Sequence, residues 1–178
     1  MLWYPYFTVL FFVLVVSKER GRAHEFCCAF ALSFFLGVLV VYLFPSLGPC
    51  FSAPELFGHA AGTKSAGLQQ ALWQMKLALR TNPHDPNAIH LFSGLPSLHF
   101  TVTLIGTYYL RYVHWSLCAA SALFCAGTLL STIYLGWHFV ADDIAALPLA
   151  TLAVLLARRF SWSPWRWLPT GDRKDDRA

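Results

Sequence analysis

The sequence predicts an all-α fold, a polytopic transmembrane bundle of about five spanning helices with one short amphipathic helix at the membrane surface. Of its 178 residues, 57% are hydrophobic and only 12% are charged, and the mean hydropathy is +0.51. Soluble domains have about 25% charged residues, and a chain this small cannot enclose so much apolar surface in one core. The composition therefore excludes a soluble monomer, a disordered chain and a nucleic-acid-binding domain.

Five apolar runs approach the roughly 20 residues that are needed to cross about 30 Å of hydrocarbon. They cover residues 2–16, 27–44, 98–112, 115–135 and 139–157. No Lys or Arg precedes Leu2, so we do not expect the first run to be a cleaved signal peptide. We divide the chain into a first span with its basic loop (1–26), a membrane core (27–157) and a tail (158–178).

Basic residues are distributed unevenly between the two sides of the predicted bundle. All but three of the 13 Lys and Arg residues lie on one side, and the other side has Lys64, Lys76 and Arg80. By the positive-inside rule, the richer side is cytoplasmic. We therefore expect an external amino terminus, a long external connection over 45–96 and a cytoplasmic tail.

The external connection contains a helical pattern. Apolar residues recur at spacings of three and four at Leu68, Leu72, Met75 and Leu79. This spacing predicts an amphipathic helix over 67–80, ended by Thr81-Asn82-Pro83 and lying along the outer membrane surface. Upstream, Pro45, Gly48 and Pro49 are expected to end the second span.

Two polar clusters lie at the ends of apolar runs. Pro96-Ser97-Leu98-His99 opens the third run, and Gly136-Trp137-His138-Phe139-Val140-Ala141-Asp142 joins the fourth to the fifth. Because the chain crosses the membrane and returns between them, we expect His99 and His138 to be neighbours at the outer face. Asp142, one helical turn after His138, is placed to accept a ring N–H and fix the tautomer. Asp143 is expected to point about 100° away around the helix.

Each of these residues also has a purely structural interpretation. Ser97 is a suitable helix cap, Pro96 can start a helix, and a single interfacial histidine such as His99 is more often a satisfied polar tip than a catalyst. His138 and Asp142 can form a simple helix-start pair. The combination of the two clusters favours a functional site, since ionisable residues close to lipid are costly.

The two clusters resemble the second and third signatures of the type-2 phosphatidic acid phosphatase superfamily. Pro-Ser-Leu-His, in place of Pro-Ser-Gly-His, is similar to the branch that contains inositol phosphorylceramide synthases and related bacterial membrane phosphatases. The turn Phe44-Pro45-Ser46-Leu47-Gly48-Pro49 is similar to that branch as well. The resemblance covers about residues 27–157, and it implies a multi-pass protein of a bacterial plasma membrane with an extracytoplasmic active site.

The resemblance also implies a phosphohistidine mechanism. His138 would attack the phosphorus of a lipid phosphate or diphosphate while Asp142 holds its ring, and His99 would protonate the leaving oxygen and then activate the acceptor. Ser97 and the N–H groups at the start of the third span would bind phosphate oxygens. Such a scheme needs no metal or other cofactor. We expect a lipid substrate in the bilayer and no nucleic-acid partner, and the sequence does not indicate an oligomeric state.

Two features depart from the superfamily pattern. Thr132 stands where the broader superfamily has an arginine, so one phosphate-binding cation is missing. Lys76 and Arg80, four residues apart on the amphipathic helix, are the candidate replacements, and contact with anionic lipid is the alternative interpretation for both. The family usually has six spans, and a sixth helix here would precede Met1.

The predicted function is therefore an integral membrane lipid phosphatase. One alternative is a phosphotransferase that moves a phospho-headgroup onto a lipid or sugar hydroxyl, and a second is a non-enzymatic membrane protein with a decayed site. A membrane serine protease is disfavoured, because no Gly-x-Ser-x-Gly sequence is present. The five cysteines are an odd number without a CxxC pair, and we assign them no function.

Overall fold

The computed structural model describes residues 3–17, 20–82 and 94–161, and these contain helices and no strand. The helices in chain order are α1 (Trp3–Val16), α2 (Arg20–Leu43), α3 (Pro49–Ser52), a 3₁₀ helix (Pro54–Ala60), α4 (Lys64–Thr81), α5 (Leu98–Leu110), α6 (Trp115–Tyr134) and α7 (Val140–Ser161). The predicted all-α membrane bundle is confirmed.

Three of the five predicted spans are long and apolar enough to cross a membrane, namely Gly21–Leu43, Trp115–Tyr134 and Val140–Phe160. The other two are shorter helices. With 14 residues in α1 and 13 in α5, each extends only about 20 Å at 1.5 Å per residue.

The short helix α5 lies inside the bundle, where it packs against α2, α6 and α7. Eight of its 13 residues are buried, and Val102, Ile105 and Tyr109 have no exposed surface. A helix enclosed by other helices faces protein rather than lipid, so it does not need the full length of a span. The site described below lies at its first turn.

Two helices extend beyond the apolar runs that predicted them. The second run was predicted to start at Cys27, but α2 begins at Arg20. Arg22 and Glu25 form an ion pair of 2.9 Å across one helical turn, and such a pair lets the helix continue past its apolar stretch. Likewise, α7 continues to Ser161 and includes Arg158.

The predicted amphipathic helix corresponds to α4, which is docked onto the connection between α6 and α7. It begins after Thr63, whose side chain accepts the Ala66 N–H at 3.1 Å. The Gln69 side-chain amide donates to the Leu135 carbonyl at 2.8 Å. Because Leu135 directly follows α6, this bond fixes α4 over the end of the bundle where the two predicted motifs meet.

Candidate active site

The start of α5 and the connection between α6 and α7 lie together at one end of the bundle. The ring centroids of His99 and His138 are 6.0 Å apart, with 59° between the ring planes. His138 is buried, whereas His99 is exposed. The structure thus brings together the two histidines that the topology placed side by side, and their catalytic roles stay predictions.

A tight turn after α6 positions His138. Gly136 has φ +73°, a left-handed conformation that glycine adopts without strain, and a Cβ there would lie 2.7 Å from the Phe57 ring. The N–H groups of Trp137 and His138 both donate to the Thr132 carbonyl, at 2.9 and 3.3 Å. The chain therefore folds back on the last turn of α6 and directs His138 into the bundle.

The turn between α2 and α3 holds both motifs in place. The Ser46 carbonyl accepts the Gly94 N–H at 3.1 Å, and the Ser46 hydroxyl accepts the Leu95 N–H at 2.8 Å. Gly48 packs so closely on the second motif that a Cβ would lie 2.4 Å from the Trp137 carbonyl oxygen. This turn, which the resemblance singled out, thus sets the position of Gly94 relative to the second motif.

The Gly94 carbonyl determines the tautomer of His138. Its oxygen lies 2.6 Å from His138 Nδ1. A carbonyl oxygen only accepts hydrogen bonds, so Nδ1 must carry the proton. Nε2 is then the unprotonated nitrogen, which is the form of histidine that can act as a nucleophile.

Asp142 has a different role from the one expected. Its Oδ2 is 3.7 Å from His138 Nδ1, beyond hydrogen-bonding distance, and accepts the Phe139 N–H at 2.7 Å. The expectation that Asp142 fixes the tautomer is therefore not met by this geometry. The reason is that α7 begins only at Val140, so His138 precedes the helix and the four-residue spacing does not stack the two side chains. Asp142 instead supports the start of α7 and supplies negative charge near the ring.

Burial keeps the His138 ring neutral. Removal from water lowers the pKa of His138 below its usual 6.5, and the Gly94 hydrogen bond and the two nearby carboxylates, Asp143 and Asp142, oppose this shift only in part. At neutral pH the ring is therefore uncharged, as nucleophilic attack requires.

Ser97 is a helix cap with no exposed surface. Its side chain accepts the Phe100 N–H at 3.5 Å, and its own N–H donates to the Asp142 carbonyl at 3.2 Å. The second of these bonds joins the start of α5 to the start of α7. The hydroxyl thus has a structural task, and its place as a phosphate ligand stays a prediction.

Asp143 is a residue that sequence reasoning set aside. It is 2% exposed, its polar neighbours are Ser97 and His138, and both carboxylate oxygens are enclosed without a hydrogen-bond partner among the described residues. The expected 100° rotation from Asp142 directs it toward α5 rather than away from the site, because the first turn of α5 packs against the start of α7. The burial of Asp143 can be predicted only when the packing of α5 against the start of α7 is known.

Lys76 and Arg80 lie on α4, where Lys76 is half-buried and Arg80 is exposed. Partial burial lowers the pKa of Lys76, and the positive charge of Arg80 lowers it further. This mutual repulsion is expected for like charges one helical turn apart. Neither side chain is among the contacts of His138 given above. The roles of Lys76 and Arg80 as phosphate ligands therefore stay predictions.

Aromatic side chains from the external connection pack beside the second motif. Phe51 stacks on Trp73 with ring centroids 5.6 Å apart and contacts Trp137 edge-on at 6.4 Å. The Trp137 indole also donates to the Ser65 hydroxyl at 2.7 Å. Phe92, a further aromatic residue of the external connection, lies outside the described residues. Within the part of the chain that the structure describes, no three His, Cys, Asp or Glu side chains converge as metal ligands.

Comparison with known families agrees with this arrangement. The model of the PAP2 superfamily, the type-2 phosphatidic acid phosphatases, matches residues 2–156, which is most of the chain. No curated protein and no solved structure matches the chain. The family match does not distinguish the narrower branch that the motifs resemble, so that assignment stays a prediction. A bundle of apolar helices with paired histidines at one end, matched by this family over nearly its whole length, identifies the chain as a membrane protein that belongs to the PAP2 superfamily, whose membership indicates phosphatase-type activity.

Proposed function

We propose that this protein is an integral membrane lipid phosphatase that hydrolyses a phosphomonoester or a diphosphate through a phosphohistidine intermediate on His138. One observation carries the proposal. The 2.6 Å contact between His138 Nδ1 and the Gly94 carbonyl leaves Nε2 unprotonated, in a ring 6.0 Å from that of His99. A buried neutral nucleophile beside a second histidine is what two-step phosphoryl transfer requires.

The reaction would proceed in two balanced steps. In the first, His138 Nε2 forms a bond to phosphorus, the bond from phosphorus to the lipid oxygen breaks, and His99 gives a proton to that oxygen. In the second, His99 takes a proton from water, the water oxygen bonds to phosphorus, and the bond to nitrogen breaks. Inorganic phosphate leaves, and both histidines return to their starting states.

Negative charge near His138 supports the first step. The ring becomes positively charged when Nε2 bonds to phosphorus while Nδ1 keeps its proton. Asp142 Oδ2, 3.7 Å from Nδ1, and the buried carboxylate of Asp143 would stabilise that charge. In this scheme, both carboxylates stabilise the positive charge of the phosphorylated His138 ring.

The phosphate group would lie at the first turn of α5. The N–H groups of a helix start are directed toward the preceding chain and favour anions. Lys76 and Arg80 on α4 would add positive charge from above the site, in place of the arginine replaced by Thr132. The exposure of His99 favours water as the acceptor over a lipid or sugar hydroxyl, because transfer to a hydroxyl requires that water be excluded.

The site would face the extracytoplasmic side of a bacterial plasma membrane. The connections at the histidine end of the bundle are poor in basic residues, and the opposite end has Arg22, Arg111 and Arg158. This distribution follows the positive-inside rule.

The test is phosphate release from phosphatidic acid, phosphatidylglycerol phosphate and polyprenyl diphosphate by purified protein and its His138→Ala variant in one detergent. We expect release by the wild type and none by the variant. In ¹⁸O-labelled water the released phosphate should contain one labelled oxygen from the second step.

His24→Ala is the matched control. His24 is exposed on α2, about 28 Å along the helix from Leu43, which precedes the turn at the site. This variant should keep wild-type activity. Equal phosphate release by wild type and His138→Ala would refute the mechanism, and phosphate transfer to an added lipid hydroxyl without labelled phosphate would support the phosphotransferase instead.

A further inference from the structure

A cavity of about 580 Å³ lies between α5 and α7, away from the histidine cluster. Its floor is formed by buried apolar residues, including Ile105, Ala150 and Val154, and its rim includes the exposed Leu147 and Leu155. The volume is within the range of small-molecule sites. Because the rim is exposed and apolar, the cavity is a lateral groove that opens toward lipid.

Two arginines close one end of this groove. Arg111, which directly follows α5, and Arg158 from α7 both line it. Tyr108 holds them there: the Arg111 guanidinium lies 3.9 Å from its ring centroid, and Arg158 donates to its hydroxyl at 3.4 Å. Neither arginine forms an ion pair with a carboxylate of the described residues. We name this feature the basic groove.

The dimensions of the basic groove fit one membrane leaflet. From Leu147 to Arg158, α7 rises about 16 Å, close to half of the roughly 30 Å hydrocarbon thickness. The apolar part would therefore lie at acyl-chain depth, with the arginines at the level of the headgroups. A ligand that complements this surface has an apolar chain of about that length joined to an anion.

We propose that the basic groove binds an anionic phospholipid, with one acyl chain between α5 and α7 and the headgroup phosphate on Arg111 and Arg158. Arg111 lies twelve residues after His99, about 18 Å along α5. The lipid would therefore occupy the opposite end of the bundle from the histidines, as a bound lipid and not as a substrate. This site is independent of the phosphatase proposal.

The test is native mass spectrometry of the full chain with phosphatidylglycerol and phosphatidylcholine of identical acyl chains. Phosphatidylglycerol is chosen because it is a phosphodiester, which a phosphomonoesterase does not hydrolyse. We expect preferential binding of phosphatidylglycerol, weakened roughly thirtyfold in the Arg111→Gln/Arg158→Gln variant, the factor that follows from about 1 kcal/mol for each basic residue. Arg159→Gln, an exposed arginine of the same helix outside the groove, is the matched control and should bind as the wild type does.

A second variant tests the apolar part of the groove. Thr151 is an exposed lining residue, so Thr151→Phe fills the groove without disturbing the core, and it should reduce binding of both lipids. An unchanged phosphatidylglycerol preference in the double arginine variant would overturn the proposal, as would an equal loss in Arg159→Gln or full binding in Thr151→Phe. Competition by glycerol phosphate as effective as that by the lipid would show a simple anion site and would also overturn it.

Discussion

Replacing Gly94 with alanine tests whether its carbonyl controls His138. A Cβ at this position would lie 3.2 Å from Asp142 Oδ2 and from the Gly48 nitrogen, and 3.3 Å from the Gly48 Cα. Ordinary van der Waals contacts of a carbon atom begin at about 3.5 Å, so the backbone at this position has to move by roughly 0.3 Å. Gly94 does not have a left-handed φ, so the added methyl group acts through this crowding alone.

The shift acts directly on the 2.6 Å contact between Nδ1 and the Gly94 carbonyl. A hydrogen bond of this kind contributes about 0.5 to 1.5 kcal/mol, so we expect Gly94→Ala to lower kcat by roughly three- to tenfold with little change in KM. The same bond favours the protonated ring and raises the pKa of His138. Its loss should therefore move the acid limb of kcat/KM to lower pH, although the enzyme is slower.

The assay is phosphate release from a lipid phosphate across about pH 5 to 8, with Gly67→Ala as the control. Gly67 lies on α4, and nothing lies within 4 Å of a Cβ placed there. Wild-type kcat and an unmoved acid limb in Gly94→Ala would refute the reasoning. An equal loss in Gly67→Ala would also refute it, since the effect would not come from the carbonyl.

Four further predictions concern the same end of the bundle. In the wild type, the acid limb of kcat/KM that reports His138 should lie below pH 6.5, because burial lowers the pKa of His138 and protonation removes its lone pair; an acid limb above that pH would contradict this. Asp142→Asn should lose about tenfold in kcat but keep the cap, because its side-chain oxygen can still accept the Phe139 N–H. Asp142→Ala should in addition lose about 1 kcal/mol of unfolding free energy. Equal thermal stability of the two variants would count against the cap. Asp143→Asn should lower kcat but raise the melting temperature, because it removes a carboxylate whose charge is disfavoured by burial; wild-type turnover would exclude its role. Gly136→Ala should cost about 1 to 3 kcal/mol in thermal unfolding, while Gly127→Ala, which has open space around it, should not be destabilised.

The membrane bundle was predictable because hydropathy and helical period are local properties. The runs around Trp115–Tyr134 and Val140–Phe160 could be located from composition alone, and α4 from apolar residues recurring every three to four positions. The neighbourhood of His99 and His138 followed from one further rule, that a chain which crosses a bilayer and returns brings its ends to the same face. These inferences need no knowledge of side-chain packing.

The length of α5 was harder to predict. Its apolar run indicated a span, but the 13-residue helix is enclosed by α2, α6 and α7 and contacts protein on most sides. Apolar composition is the same for a residue that faces lipid and for one that faces another helix. Only the arrangement of the neighbouring helices distinguishes the two.

By itself, the sequence determined that this protein is a helical membrane protein with two histidine motifs at one face of its bundle. The tertiary structure alone decided what each motif residue contacts. His138 donates to the carbonyl of Gly94, which lies 44 positions earlier in the chain, and the turn at Ser46 holds that carbonyl in place. A backbone carbonyl has the same chemistry in every residue type, so such a partner leaves no sign in the sequence. The burial of Asp143 likewise depends on where α5 packs, which no property of α7 specifies.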